Sequence, residues 1–154
     1  METLIDQYEA DAEILSKAIS GLSSEELTSF PIPGTWSIQQ VIMHSLDSDF
    51  IAADRMKRVI AGPTPPTLMA YDETRYAQVI GYHYVDAKLA CELFRLNRLM
   101  MAQILRNVPG TAWSQTGNHT ERGVESLAMI LQLYVDHPRH HLKFIEAKRK
   151  VLGK

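Results

Sequence analysis

Apolar residues recur at Leu4, Tyr8, Ala12, Leu15, Ile19 and Leu22. This three-and-four spacing lines one face of a helix and predicts a first amphipathic helix over residues 4–22, with Gly21 suited to its C-terminal cap. After the turn-rich PIPGTW, Ser37 and Gln40 stand as an S-x-x-Q capping box, and Trp36 and Val41 are spaced as a hydrophobic staple. The second helix is therefore expected from Ser37 to Ala61. Residues 61–84 hold three prolines and two glycines, the composition of a crossover loop with one short helical turn around Asp72 to Val79. Val85, Leu89, Leu93, Leu96, Met100 and Ile104 predict a third helix that stops at Val108-Pro109-Gly110. A second loop, TAWSQTGNHTERG, leads to a fourth helix from about Val124 to Leu152. There Leu127, Ile130, Tyr134, His137, His141, Phe144 and Ile145 share a sector of roughly 100°. No stretch alternates as a strand would. The pattern implies an all-α protein, one domain over residues 1–154, built as a four-helix bundle with a long crossover; the core of such a bundle commonly houses a metal or ligand site.

Composition narrows the functions available. A net charge of −2 and no Lys/Arg patch interleaved with aromatics argue against nucleic acid as a partner. The N-terminal stretch is acidic and amphipathic, and no run of about 20 apolar residues could span a bilayer. A cytoplasmic protein without a membrane partner is expected. Cys91 is the single cysteine and falls in an apolar helical stretch, which suits the core better than a nucleophile.

Three of the six histidines fall in DHPRHHLKFIE, on the apolar stripe of the fourth helix. His137 and His141 are one turn apart and could share a metal ion. The same spacing also fits one hydrogen-bonded core histidine beside a boundary residue, but two buried imidazoles each need a partner, and one divalent ion would satisfy both. His140 points about 60° away from His137 by helical arithmetic. Pro138 lacks an N–H and crowds the carbonyl of Tyr134, so a kink at this point is expected within one helix, whose stripe stays in phase on both sides. His44, near the middle of the second helix, is the natural third ligand, although it lies off the strongest apolar stripe of that helix and, taken alone, reads sooner as a polar boundary residue. Asp47, one turn on, could orient an imidazole, ligate, or be a solvated surface acid. His83 and His119 fall in loops, with His119 placed to line the mouth of a pocket.

The order TWSIQQVIMHSLDSDFIAADRMKRVIAG, then the proline loop and YDETRYA, then GNHTERGVESLAMILQLYVDHPRHHLKFIE, resembles the DinB/YfiT-like metalloenzyme superfamily over most of the chain. By that resemblance His44, His137 and His141 would be the three metal ligands. It further implies an up-down-down-up bundle, commonly a homodimer, with zinc or nickel at one end. Characterised relatives of that family include transferases and isomerases that use bacillithiol, mycothiol or glutathione.

Three neutral imidazoles would leave a divalent ion its full charge and open coordination positions, as in catalytic rather than structural sites. A low-molecular-weight thiol would be deprotonated there for attack on a small electrophile, as in a thiol S-transferase. Asp47 is then the expected catalytic residue, and Tyr71, Asp72, Glu73, Trp113 and His119 are expected in the substrate pocket, although all five also read as ordinary loop residues. The alternatives are a metal-dependent hydrolase and a non-catalytic metal-holding or structural bundle.

Overall fold

In the computed structural model, which describes residues 1–154, the first helix comes in two pieces, α1 (Glu2–Ala10) and α2 (Ile14–Ala18), joined by a 3-10 turn at Asp11–Glu13. The expected stripe keeps its phase through the break: Tyr8, Ala12, Leu15, Ile19 and Leu22 are all buried. The turn follows Tyr8, whose carbonyl accepts from the Arg98 guanidinium, 3.2 Å away. A short α3 (Ser24–Thr28), closed by a Ser23/Glu26 capping box, was not anticipated. α4 (Ile38–Ala61) starts as its capping box requires: the Gln40 N–H donates to the Ser37 hydroxyl and the Ser37 N–H donates to the Gln40 side chain. The crossover holds β1 (Thr67–Leu68) and α5 (Glu73–Val79), followed by α6 (Ala87–Arg106). β2 (Thr116–His119) and β3 (Gly123–Ser126) form a hairpin that runs directly into α7 (Leu127–Val151). No helix is long and apolar enough to cross a membrane.

Long-range pairs give the helix directions. Arg106, at the end of α6, reaches Glu2, Asp6 and Glu9 of α1, so these helices are antiparallel. Arg139 pairs with Asp11, and Arg149 donates to the carbonyls of Ala18 and Ser20, so α7 runs parallel to α1 and α2. The leading halves of α4 and α6 share one apolar cluster and their trailing halves another, which makes them parallel. The result is an up-down-down-up bundle in which the long crossover between α4 and α6 is a topological necessity.

Between the two clusters lies a polar layer. Asp49 on α4 accepts from Arg98 Nε (3.0 Å) and Asn97 Nδ2 (2.7 Å) on α6 and from the Tyr8 hydroxyl on α1. Arg98 also donates to the Tyr134 carbonyl on α7, so every long helix contributes to the layer. Pro138 explains why that carbonyl is free: proline has no N–H to return to residue 134. The expected kink therefore does not divide the helix. α7 is continuous across Pro138, with Arg98 supplying the missing donor.

Three further features depart from the sequence reading. A small three-stranded sheet exists, β1 pairing parallel with β2 and β2 antiparallel with β3, and the fourth helix starts at Leu127 rather than Val124, capped by Ser126. Gly117 is required in that sheet, since a Cβ there would stand 2.7 Å from the Leu68 side chain. The stripe that predicted the third helix faces outward: Leu89, Leu93, Leu96 and Met100 are exposed, while Ala87, Ala90, Cys91, Phe94, Met101, Ala102 and Leu105 are buried with Asn97 and Arg98.

Candidate metal centre

α4 and α7 run antiparallel along a shared seam, which sets His44 opposite the His137/His141 pair. The Nε2 atoms of the three rings lie 3.3 Å (His44 to His137), 3.1 Å (His44 to His141) and 3.1 Å (His137 to His141) apart. His44 is buried and the other two are half-buried. His44 stands in the first third of α4 and the pair near the middle of α7.

Hydrogen bonding alone cannot satisfy this triangle. Each Nε2 either donates or accepts, so among three nitrogens at least two share a role and at least one contact is unmatched. A cation accepts all three lone pairs together. A tetrahedral ion bound at ~2.0–2.1 Å would hold its nitrogens about 3.3–3.4 Å apart, close to the separations present. Burial pushes the imidazoles of His44 and His141 down to about 4, and burial together with the neighbouring rings pushes His137 to about 2, so all three are neutral at pH 7. The Tyr71 hydroxyl lies 3.3 Å from His44 Nδ1 and is hydrogen-bonded to the Ser48 hydroxyl. With Nδ1–H donating to Tyr71 and Tyr71 donating to Ser48, the His44 Nε2 lone pair points into the centre.

The histidines open onto a cavity of about 360 Å³, whose lining includes Trp36, Ser48, Arg55, Tyr71, Glu73, His119, Glu121, Arg122 and Tyr134. Of the five residues expected in a substrate pocket, Tyr71, Glu73 and His119 line this cavity. Asp47, Asp72 and Trp113 do not line the cavity. Asp47 is turned about 60° from His44 around α4, where its carboxylate accepts from the Tyr82 hydroxyl and burial raises it above the usual carboxylate range. Asp72 caps α5, accepting from the Arg75 N–H, and Trp113 packs against the apolar cluster built on the trailing halves of α4 and α6. His140 lies at the exposed rim.

Arg55 and Tyr134 were missed, although helical arithmetic could have found them. Arg55 is eleven residues after His44, about 20° from it around the helix, and Tyr134 precedes His137 by three. Arg55 is 3% exposed; its Nη1 donates to the Tyr134 hydroxyl (3.0 Å) and its Nη2 to the Met69 carbonyl. His119 Nδ1 accepts from the N–H groups of Glu121 and Arg122, each 3.2 Å away, closing the β2–β3 turn.

The family model of the DinB superfamily matches residues 7–145. A presumed metal-dependent hydrolase of Bacillus cereus is 30% identical over 157 residues, covering 99% of this chain and 87% of the relative. One of Oceanobacillus iheyensis is 28% identical, covering 95% and 85%. Among solved structures, YfiT from Bacillus subtilis, described as a probable metal-dependent hydrolase with an unusual four-helix bundle topology, superposes with a TM-score of 0.89 at 22% identity, over 98% of this chain and 86% of that one. A mycothiol-dependent maleylpyruvate isomerase superposes with a TM-score of 0.72 at 14% identity, over 92% of this chain and 58% of the isomerase. At these identities the two structures establish the shared fold.

Proposed function

The chain belongs to the DinB superfamily, and from that premise we propose that it is a divalent-metal-dependent enzyme that activates a low-molecular-weight thiol for attack on a small electrophile. His44, His137 and His141 hold the ion, zinc or nickel. The observation that carries this reading is the convergence of three neutral Nε2 atoms within 3.3 Å of one another. Bound there, a divalent ion supplies Lewis acidity that lowers the pKa of a coordinated thiol or water.

The chain's own residues orient and enclose. Tyr71 and Ser48 fix the tautomer of His44, and Trp36 packs edge-on against the same ring with centroids 5.2 Å apart, shielding it from water. The only carboxylates in the cavity wall, Glu73 and Glu121, are exposed. No buried base stands ready to take a proton from water, so the wall asks less of a thiol, which ionises readily beside a cation. Hydrolysis is the second reading, favoured by the assignments of the curated relatives, with Glu73 or Glu121 as proton carrier. A homodimer formed through the outward stripe Leu89, Leu93, Leu96 and Met100 completes the proposal; Leu93→Asp should slow its sedimentation to that of a monomer.

Metal titration with elemental analysis of untagged protein tests the centre. About one ion per chain is expected, lost in His44→Ala and in His141→Ala. Turnover of an electrophile only with added thiol supports the transferase, and turnover without thiol supports the hydrolase. No metal bound by the parent sinks both readings and leaves a structural bundle.

A further inference from the structure

We propose that Arg55 and His119 form a carboxylate subsite in the cavity shared with the three histidines, so that the substrate of this centre is a small organic acid. Two unmet donors carry the inference. Arg55 has a fixed positive charge at 3% exposure, yet no carboxylate pairs with it; its partners are a tyrosine hydroxyl and a backbone carbonyl, and its Nε–H bonds to nothing. His119 is 4% exposed and accepts two backbone N–H groups at Nδ1, which places its proton on Nε2, and that atom is also unpaired. Both residues line the same cavity. Buried polar groups are almost always satisfied, and a buried charge requires a counter-charge.

The remaining charges in the wall select the kind of anion. Arg122 is already neutralised by a two-point pair with Glu125 (2.7 and 3.0 Å), and Glu73 and Glu121 stand exposed in the same wall. One unpaired cation matches a group with a single negative charge, and the two idle N–H groups, both closed to solvent in this structure, match its two acceptor oxygens once the side chains turn toward the cavity. A phosphate dianion would bring two charges against one and meet the two glutamates. A carboxylate fits both counts.

The inference rests on reading the cavity as a substrate site, and its test is separable from the metal. The 154-residue protein is freed of metal with a chelator, so that ligation of an ion by the probe cannot contribute. Benzoate, benzamide and inorganic phosphate are then titrated by calorimetry against the parent, Arg55→Gln and His119→Gln, with circular dichroism to check folding. Benzoate is expected to bind the parent, at least tenfold more weakly to Arg55→Gln and severalfold more weakly to His119→Gln. Phosphate should bind less tightly than benzoate, and benzamide not measurably. If Arg55→Gln does not fold, Arg55→Lys replaces it, keeping the charge but lacking the unpaired Nε–H, with a severalfold loss expected. Equal binding of benzoate and benzamide, phosphate binding the tighter, or benzoate affinity unchanged in the variants would overturn the subsite. Benzoate binding by a protein that takes up no metal would sink the metal-enzyme reading and leave the subsite standing; metal uptake without benzoate binding would do the reverse.

Discussion

Two arginines are buried in this bundle, and they are treated in opposite ways. Arg98 is 0% exposed and fully partnered: Asp49 neutralises it, the Tyr8 and Tyr134 carbonyls accept from it, and the rings of Tyr8 and Phe94 lie 4.3 and 4.5 Å from its guanidinium carbon. Arg55, scarcely more exposed, has neutral partners only and an idle N–H. Tyr134 touches both, giving its carbonyl to Arg98 and its hydroxyl to Arg55. The difference separates two uses of buried charge. A charge whose partners all lie within the fold holds helices together, while one left without a counter-ion beside a cavity awaits a partner from outside.

The contrast can be broken most severely at Arg98. Arg98→Met strands Asp49, which is 1% exposed, and should cost about 3–5 kcal/mol in urea denaturation. Acidification is the next largest test and acts on the cavity side. The folded histidines sit below their ordinary 6.5, at about 4 for His44 and His141 and lower for His137. Above pH 6.5 folded and unfolded chains bind equal numbers of protons at these sites; below it the unfolded chain binds more. Stability of the metal-free protein should therefore fall as pH drops from 6.5 towards 4, and melting curves of a His44→Ala, His141→Ala double variant should show a shallower slope, the remainder coming from His137 and His119. Tyr71→Phe removes the acceptor for His44 Nδ1–H and should weaken metal binding roughly 10- to 100-fold while leaving the urea midpoint unchanged. The smallest effect is expected at Arg55. Arg55→Met, unlike Arg98→Met, orphans no carboxylate, and its stability should stay within about 1 kcal/mol of the parent; a loss as large as that of Arg98→Met would erase the distinction.

Both regions were legible to different degrees. The Ser37/Gln40 box marked the start of α4, and the in-phase stripe of α7 carried the reading through Pro138 to the His137/His141 pair, because caps and periodicity are local properties of the chain. Periodicity misled at α6. Leu89, Leu93, Leu96 and Met100 face outward, while on the inward face the bulky Phe94, Met101 and Leu105 are interspersed with alanines, Cys91 and the polar pair Asn97 and Arg98, which breaks up the apolar periodicity there. The strands were invisible for another reason. Thr67–Leu68 and Thr116–His119 are too short and too polar to show alternation, and their pairing depends on Leu68 reaching Gly117 across the crossover. Arg55 was overlooked because a charged residue in a helix is ordinarily read as solvent-facing; only the tertiary fold shows that no acid accompanies it.

The Asp49–Arg98 layer has a consequence for how the chain assembles. Hydrophobic burial is non-directional, so the apolar clusters on either side of it specify the alignment of α6 on α4 less sharply than a buried ion pair does. A slip of one turn moves Arg98 about 5.4 Å along the seam, leaving Asp49 without its cation and Arg98 away from the carbonyl that Pro138 frees. Only one alignment of the four helices discharges every polar debt at once. The layer thus specifies the register of the bundle, and the register it selects on α4 and α7 is the same one that brings His44 to His137 and His141.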